Sequence, residues 1–98
     1  MRERSVEKHL VDGLKKIGVP CVKFIPDSMK GMPDRIILLP FGRVIWCELK
    51  TKGGRLEPIQ EARHKELRRS GQQVEIVWST EDADRLIKEI KSAYQIEV

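Results

Sequence analysis

Cysteine is scarce in this chain: only Cys21 and Cys47 occur among 98 residues, with no Cys-x-x-Cys pair and no histidine at ligand spacing. Neither a disulfide framework nor a zinc site is suggested, and the two cysteines read as small core residues of a reduced, cytosolic protein. Long apolar runs are missing as well. No stretch approaches the length of a signal or membrane-spanning segment, and Met-Arg-Glu-Arg-Ser leads straight into an amphipathic pattern. The expected location is the cytoplasm, without a membrane partner. Internal repeats and low-complexity tracts are absent, and 98 residues leave no room for a second core, so residues 1–98 are expected to form one domain. A domain of this size buries only about 60 to 65% of its unfolded surface, which makes a second subunit an expected source of further burial.

Lysine plus arginine outnumber aspartate plus glutamate by 19 to 15, a net charge of +4. This excess mildly favours polyanionic partners without identifying one.

Hydrophobic spacing predicts the elements. Val6, Leu10, Leu14 and Ile17 recur at helical intervals from Glu3 onward, and Gly18 with Pro20 ends the pattern. Cys21 to Ile25 reads as a short edge strand, followed by a loop from Pro26 to Pro33. The segments from Asp34 to Leu39 and from Arg43 to Lys50 are rich in Ile, Val, Leu and Trp. They are apolar on both faces, which predicts central strands covered by helices on each side. After a glycine-rich link from Thr51 to Glu57, Pro58 suits the first turn of a second helix that Gly71 stops. Gln73 to Trp78 alternates as a fourth strand. Ser79-Thr80-Glu81-Asp82 then opens a third helix with Ala83, Leu86, Ile87, Ile90 and Tyr94 on its buried stripe. The order is α-β-β-β-α-β-α. The tail from Tyr94 to Val98 alternates, and either pairs with another subunit or lengthens the last helix.

Three residues are polar where a core sheet should be apolar: Asp34 opens the second strand, while Glu48 and Lys50 close the third. Side chains two apart on a strand share a face, so Glu48 and Lys50 point the same way. The place of Asp34 depends on hairpin register. A three-residue loop, Pro40-Phe41-Gly42, with a type I turn and glycine in the left-handed position, places Asp34 opposite Glu48. A four-residue loop puts Arg35 there and turns Asp34 to the other face; the turn residues favour the first register. Glu7, at the edge of the first helix's buried stripe, can lean over the sheet towards these acids. Clustered carboxylates repel unless a hard cation neutralises them, and oxygen ligands select Mg²⁺, with Mn²⁺ as a substitute, over zinc. Spacing alone also fits, and no less well, Asp34 capping its loop, Glu48 and Lys50 forming a surface ion pair and Glu7 being solvated.

Gly31-Met32-Pro33-Asp34, then Glu48-Leu49-Lys50 in an apolar strand, then Gln60 on the next helix, resembles the PD-(D/E)XK nuclease superfamily and within it the small stand-alone VRR-NUC domains. The resemblance spans nearly the whole chain. It implies an α/β restriction-endonuclease-like fold, with a mixed central sheet flanked by helices. It implies Asp34, Glu48 and the Leu49 carbonyl as metal ligands, Glu7 ligating directly or through water, Lys50 as the catalytic lysine and Gln60 ordering the site. It further implies a homodimer cutting branched DNA such as four-way (Holliday) junctions, in a bacterial cell or a phage-infected host. Phosphate contacts are expected from Lys30, Lys52 and Arg55; on the second helix Arg63, Lys65, Arg68 and Arg69 either join them or form a solvated face, and His64 either lines the groove or is a surface or capping histidine. The alternative function is a non-catalytic nucleic-acid-binding domain of the same fold.

Overall fold

The structure, a computed structural model, describes residues 3–97; the sequence readings that touch Met1, Arg2 and Val98 lie outside them. Helix α1 (Glu3–Lys16) is followed by strands β1 (Cys21–Lys23), β2 (Arg35–Leu38) and β3 (Val44–Leu49). Helix α2 (Pro58–Arg69), strand β4 (Gln73–Val77) and helix α3 (Thr80–Ala93) complete the chain. The strands lie in the order β1-β2-β3-β4. The first three are antiparallel and β4 runs parallel to β3, as a strand reached through a helical crossover must. The sheet is therefore mixed, as expected.

One face of the sheet makes the core. Ile37, Leu39, Ile45, Cys47, Leu49 and Val77 pack with Val6, Leu10 and Leu14 of α1 and with Ala83, Leu86 and Ile90 of α3. These are the residues whose spacing predicted the two helices. The other face carries Trp46, Glu48 and Val74, and α2 lies against it: Arg68 donates to the Val74 carbonyl at 3.0 Å. Cover on this second face is partial. Val22 and Leu38 are each 41% exposed, so the expectation of helices over both faces of β2 needs correcting. One helix of twelve residues spans the β3–β4 side and leaves β1 and β2 open.

All three helices end alike. Beyond α1, Gly18 takes φ +77° and Val19 N–H donates to the Leu14 carbonyl; beyond α2, Gly71 takes φ +91° and Gln72 N–H donates to Leu67. Beyond α3 the left-handed position falls to Gln95, at φ +52°, and Ile96 N–H donates to the Lys91 carbonyl at 2.9 Å. This Schellman closure turns the chain back and packs Ile96 on the core. As far as Glu97 the alternating tail thus does not lengthen the helix; Tyr94 and Ile96 are half-buried against the core. No helix among the described residues is long and apolar enough to cross a membrane.

The β2–β3 hairpin has the three-residue register: Leu38 pairs with Val44 and Arg35 with Cys47, and Leu39 N–H donates to Arg43 at 2.9 Å. The turn itself differs from the type I reading. Phe41 and Gly42 both have positive φ, at 64° and 72°, the feature of a type I′ turn between Pro40 and Arg43, whose twist matches that of the paired strands. Phe41 is 90% exposed, so the local strain of its left-handed backbone is set by the turn and not by packing of its side chain.

The loop from β1 to β2 is braced on the start of α2. Gly31 takes φ +82°, and a Cβ there would stand 2.6 Å from the Ile59 carbonyl oxygen. Arg63 Nε donates to the Lys30 carbonyl at 2.8 Å, and Pro33 is buried. Gly31→Ala combines a disfavoured backbone with a backbone clash, so it should lower stability by roughly 2 to 4 kcal/mol. A fall in the urea midpoint with an unchanged slope is the measurement that checks it.

Candidate active site

Asp34 stands immediately before β2, and the register that pairs Arg35 with Cys47 sets it opposite Glu48. Its carboxylate also finishes the sheet: Oδ2 accepts the Leu49 N–H at 2.9 Å, where β2 has no further carbonyl to offer. Glu48 faces the α2 side of the sheet and is 1% exposed. Two residues of α2 meet it there. Gln60 Nε2 donates to Glu48 Oε2 at 3.4 Å, and His64 Nε2 lies 3.3 Å from Oε1. The spacing of four residues sets both side chains on one side of the helix.

Gln60 has two tasks at once. Its Oε1 accepts the Glu57 N–H at 2.9 Å, which closes the helix N-terminus, and its amide nitrogen holds Glu48. The helix-start role and the site role of this glutamine are therefore one geometry.

His64 requires a correction. As an expected DNA contact it should be accessible, yet it is 1% exposed. Burial, with the Arg68 guanidinium second, holds its pKa below the usual histidine value, while the Asp34 carboxylate pulls the other way and the Lys50 ammonium adds to the lowering. A neutral imidazole that donates Nε2–H to Glu48 leaves Nδ1 as a bare acceptor, and Nδ1 has no hydrogen-bond partner. Hydrophobicity hides this role because α2 builds most of its inner side from polar residues: His64 is buried, Gln60 and Arg63 are half-buried, and Leu67 is the apolar residue among them.

Lys50 follows β3 and is half-buried; its N–H donates to the Val77 carbonyl at 3.0 Å, which extends the parallel pairing past Glu48. By alternation its side chain shares the Glu48 face. Glu7 comes to the same end of the sheet from the opposite face. Its Oε2 accepts from Arg35 Nε at 3.0 Å, and Arg35 also donates to the Cys21 carbonyl. Glu7, Asp34 and Leu49 line one cleft of about 220 Å³ with Lys23, Phe24 and Ile25. Arg35 and Lys23 are the site neighbours that sequence reading missed; the signal for Arg35 was a cation at a core-facing strand position.

Lys30, Lys52 and Arg55 are exposed, as are Lys65 and Arg69. Arg63 and Arg68 are engaged within the fold, on the Lys30 and Val74 carbonyls. Cys47 is buried, which pushes its thiol far above the usual range, and burial raises Cys21 to about 11; neither is a nucleophile at neutral pH.

The donors gathered at this end are all oxygens, which fits a hard divalent ion better than zinc. As they stand, no three histidine, cysteine, aspartate or glutamate residues among those described are grouped to hold an ion. Glu48 is turned to Gln60 and His64, and Glu7 to Arg35.

No family model matches the chain. Over 87 residues, 89% of this chain and 92% of the other, it is 39% identical to "Putative nuclease p44" of Acyrthosiphon pisum secondary endosymbiont phage 1. A solved structure described as "VRR_NUC domain" superposes with a TM-score of 0.81 at 28% identity, covering 88% of this chain and 94% of that one. The likeness runs through sequence and fold over almost the same length, so the chain belongs to the VRR-NUC domains of the PD-(D/E)XK nuclease superfamily.

Proposed function

We propose that this protein is a Mg²⁺-dependent, structure-selective DNA endonuclease. It hydrolyses phosphodiester bonds of branched DNA such as four-way junctions and acts as a homodimer in the cytoplasm. The observation that carries the reading is the set at the sheet end: Asp34 opposite Glu48 by register, Lys50 on the Glu48 face, and Gln60 bonded to Glu48. An interaction module gives no reason to bury a glutamate beside these groups.

In this reading Asp34, Glu48 and the Leu49 carbonyl hold a Mg²⁺ or Mn²⁺ ion, and Glu7 ligates directly or through water. Such an ion, when bound, acidifies water and polarises a phosphoryl oxygen. The remaining work falls to the chain. Lys50 orients the attacking water or offsets the negative charge that builds on the phosphoryl group. Gln60 and His64 restrict the Glu48 carboxylate, and the 3.3 and 3.4 Å contacts are long enough to be exchanged for other partners. Exposed Lys30, Lys52 and Arg55 bind phosphates without reading bases, which suits an enzyme that selects DNA by shape. Two sites related by a two-fold axis match the two strands cut in a four-way junction.

Labelled four-way junction, linear duplex and flap, each with Mg²⁺ or EDTA, test the reading. Paired nicks are expected on the junction only with metal, and Lys50→Ala should lower the rate at least about 100-fold. Well-folded protein that cuts none of these with any divalent metal would leave the non-catalytic binding domain as the better reading.

Metal binding is tested apart from activity. Saturating Mg²⁺ at about 100 times its dissociation constant should stabilise the protein by about 2.7 kcal/mol. The resulting rise in Tm should vanish in Asp34→Asn and Glu48→Gln. Sedimentation equilibrium should return about twice the chain mass of 11.4 kDa; a monomer at micromolar concentration removes the paired-site account.

A further inference from the structure

The exposed large apolar side chains fall into two groups. Val22, Leu38 and Phe41 lie on the open part of the sheet and on the hairpin, away from the acids. Ile25, Met29 and Ile59, exposed by 76%, 42% and 44%, belong to the loop that leads to Asp34 and to the helix on which it rests. Ile25 lines the same cleft as Glu7 and Asp34. Ile59 packs against Gly31, two residues beyond Met29.

These side chains stand on fixed backbone. Phe24 N–H donates to the Asp34 carbonyl at 2.9 Å, so Ile25 is one residue past a ladder position. The far end of the loop is held by Arg63 on the Lys30 carbonyl. An aliphatic group held in water beside a cleft for a phosphodiester adds nothing to phosphate binding. It gains only by meeting the apolar faces of bases. In continuous duplex those faces are stacked, and inserting a side chain between them requires unstacking. At a branch point or an unpaired end the stack is already broken.

We propose that Ile25, supported by Met29 and Ile59, is an apolar wedge that fills the gap in base stacking next to the scissile phosphate, so that the cleft selects DNA with an interrupted stack. The inference rests on the nuclease reading and adds to it the element that senses DNA shape. Position favours DNA over a second copy as the occupant: Ile25 lines the same cleft as Glu7 and Asp34, where the phosphodiester enters. Lys23 and Lys30 flank Ile25 and Met29 with Asp27 between them, and Ile59 stands between Glu57 and Glu61.

The test uses the Lys50→Ala chain, so that the DNA stays intact, and 2-aminopurine, which brightens when it unstacks. The base is placed at the branch point of a four-way junction or in the middle of a continuous duplex. An aliphatic side chain seated against the branch-point base stops it from restacking transiently, so binding should raise fluorescence on the junction and not on the duplex. Adding Ile25→Ala should abolish the rise and weaken junction binding about tenfold, the loss expected for an incompletely buried aliphatic side chain. Ile25→Leu should keep both. Circular dichroism should be unaltered by these changes, since Ile25 is largely exposed. Junction binding without a rise overturns the wedge, as does a rise that survives the Ile25→Ala, Met29→Ala double variant. Dissociation of a dimer by Ile25→Ala overturns it too and assigns the patch to a second copy. The two readings fail separately. A rise lost in Ile25→Ala, with a wild-type chain that cuts nothing, sinks catalysis and keeps the wedge; absence of DNA binding sinks both.

Discussion

Burial of the Glu48 carboxylate constrains everything at the sheet end. A carboxylate taken out of water is costly unless donors face it, and its cost falls when it is held by hydrogen bonds or neutralised. Here the donors come from α2, so the helix must lie at the depth and rotation that bring Gln60 and His64 to β3. That requirement reaches outward. The N-terminus of α2 is closed by the same Gln60, the first two turns of the helix brace the loop through Ile59 and Arg63, and that loop delivers Asp34 to its register opposite Glu48.

The sheet divides labour between its two faces. Ile45, Cys47 and Leu49 anchor β3 in the core, while Trp46 and Glu48 between them look to α2. Asp34 joins the two sides, since it belongs by register to the Glu48 face but lines a cleft with Glu7, which arrives from α1. A site at the end of a sheet, rather than on one face of it, can therefore take acids from elements on both sides.

Much of this was legible in the sequence because it follows from periodicity and turn chemistry. The helical stripes, the order of elements and the Asp34–Glu48 register come from residue spacing and from the three-residue length of Pro40-Phe41-Gly42, although the turn inside that loop is not the type I its residues suggested. What escaped was decided by tertiary contact. His64 read as a surface or groove residue because no hydrophobic pattern marks the inner side of α2, where a histidine and a glutamine do the work of apolar residues. The tail read as free to pair or extend because nothing in Gln95 announces a left-handed residue. Arg35 was invisible as the partner of Glu7, since a strand residue gives no sign of which helix will cross it.

The carboxylates, lysine, glutamine and histidine proposed for the active site, apart from Glu7, come from one unbroken stretch between Asp34 and His64, whereas α1 and α3 close the far side. Construction and chemistry are thus largely separable along the chain. Residues of α1 and α3 other than Glu7 can drift with their partners, changing how stable the protein is while the cutting machinery stays as it was. The stretch from β2 to the middle of α2 has no such freedom, because nearly every polar side chain in its interior is already bonded to another part of the site.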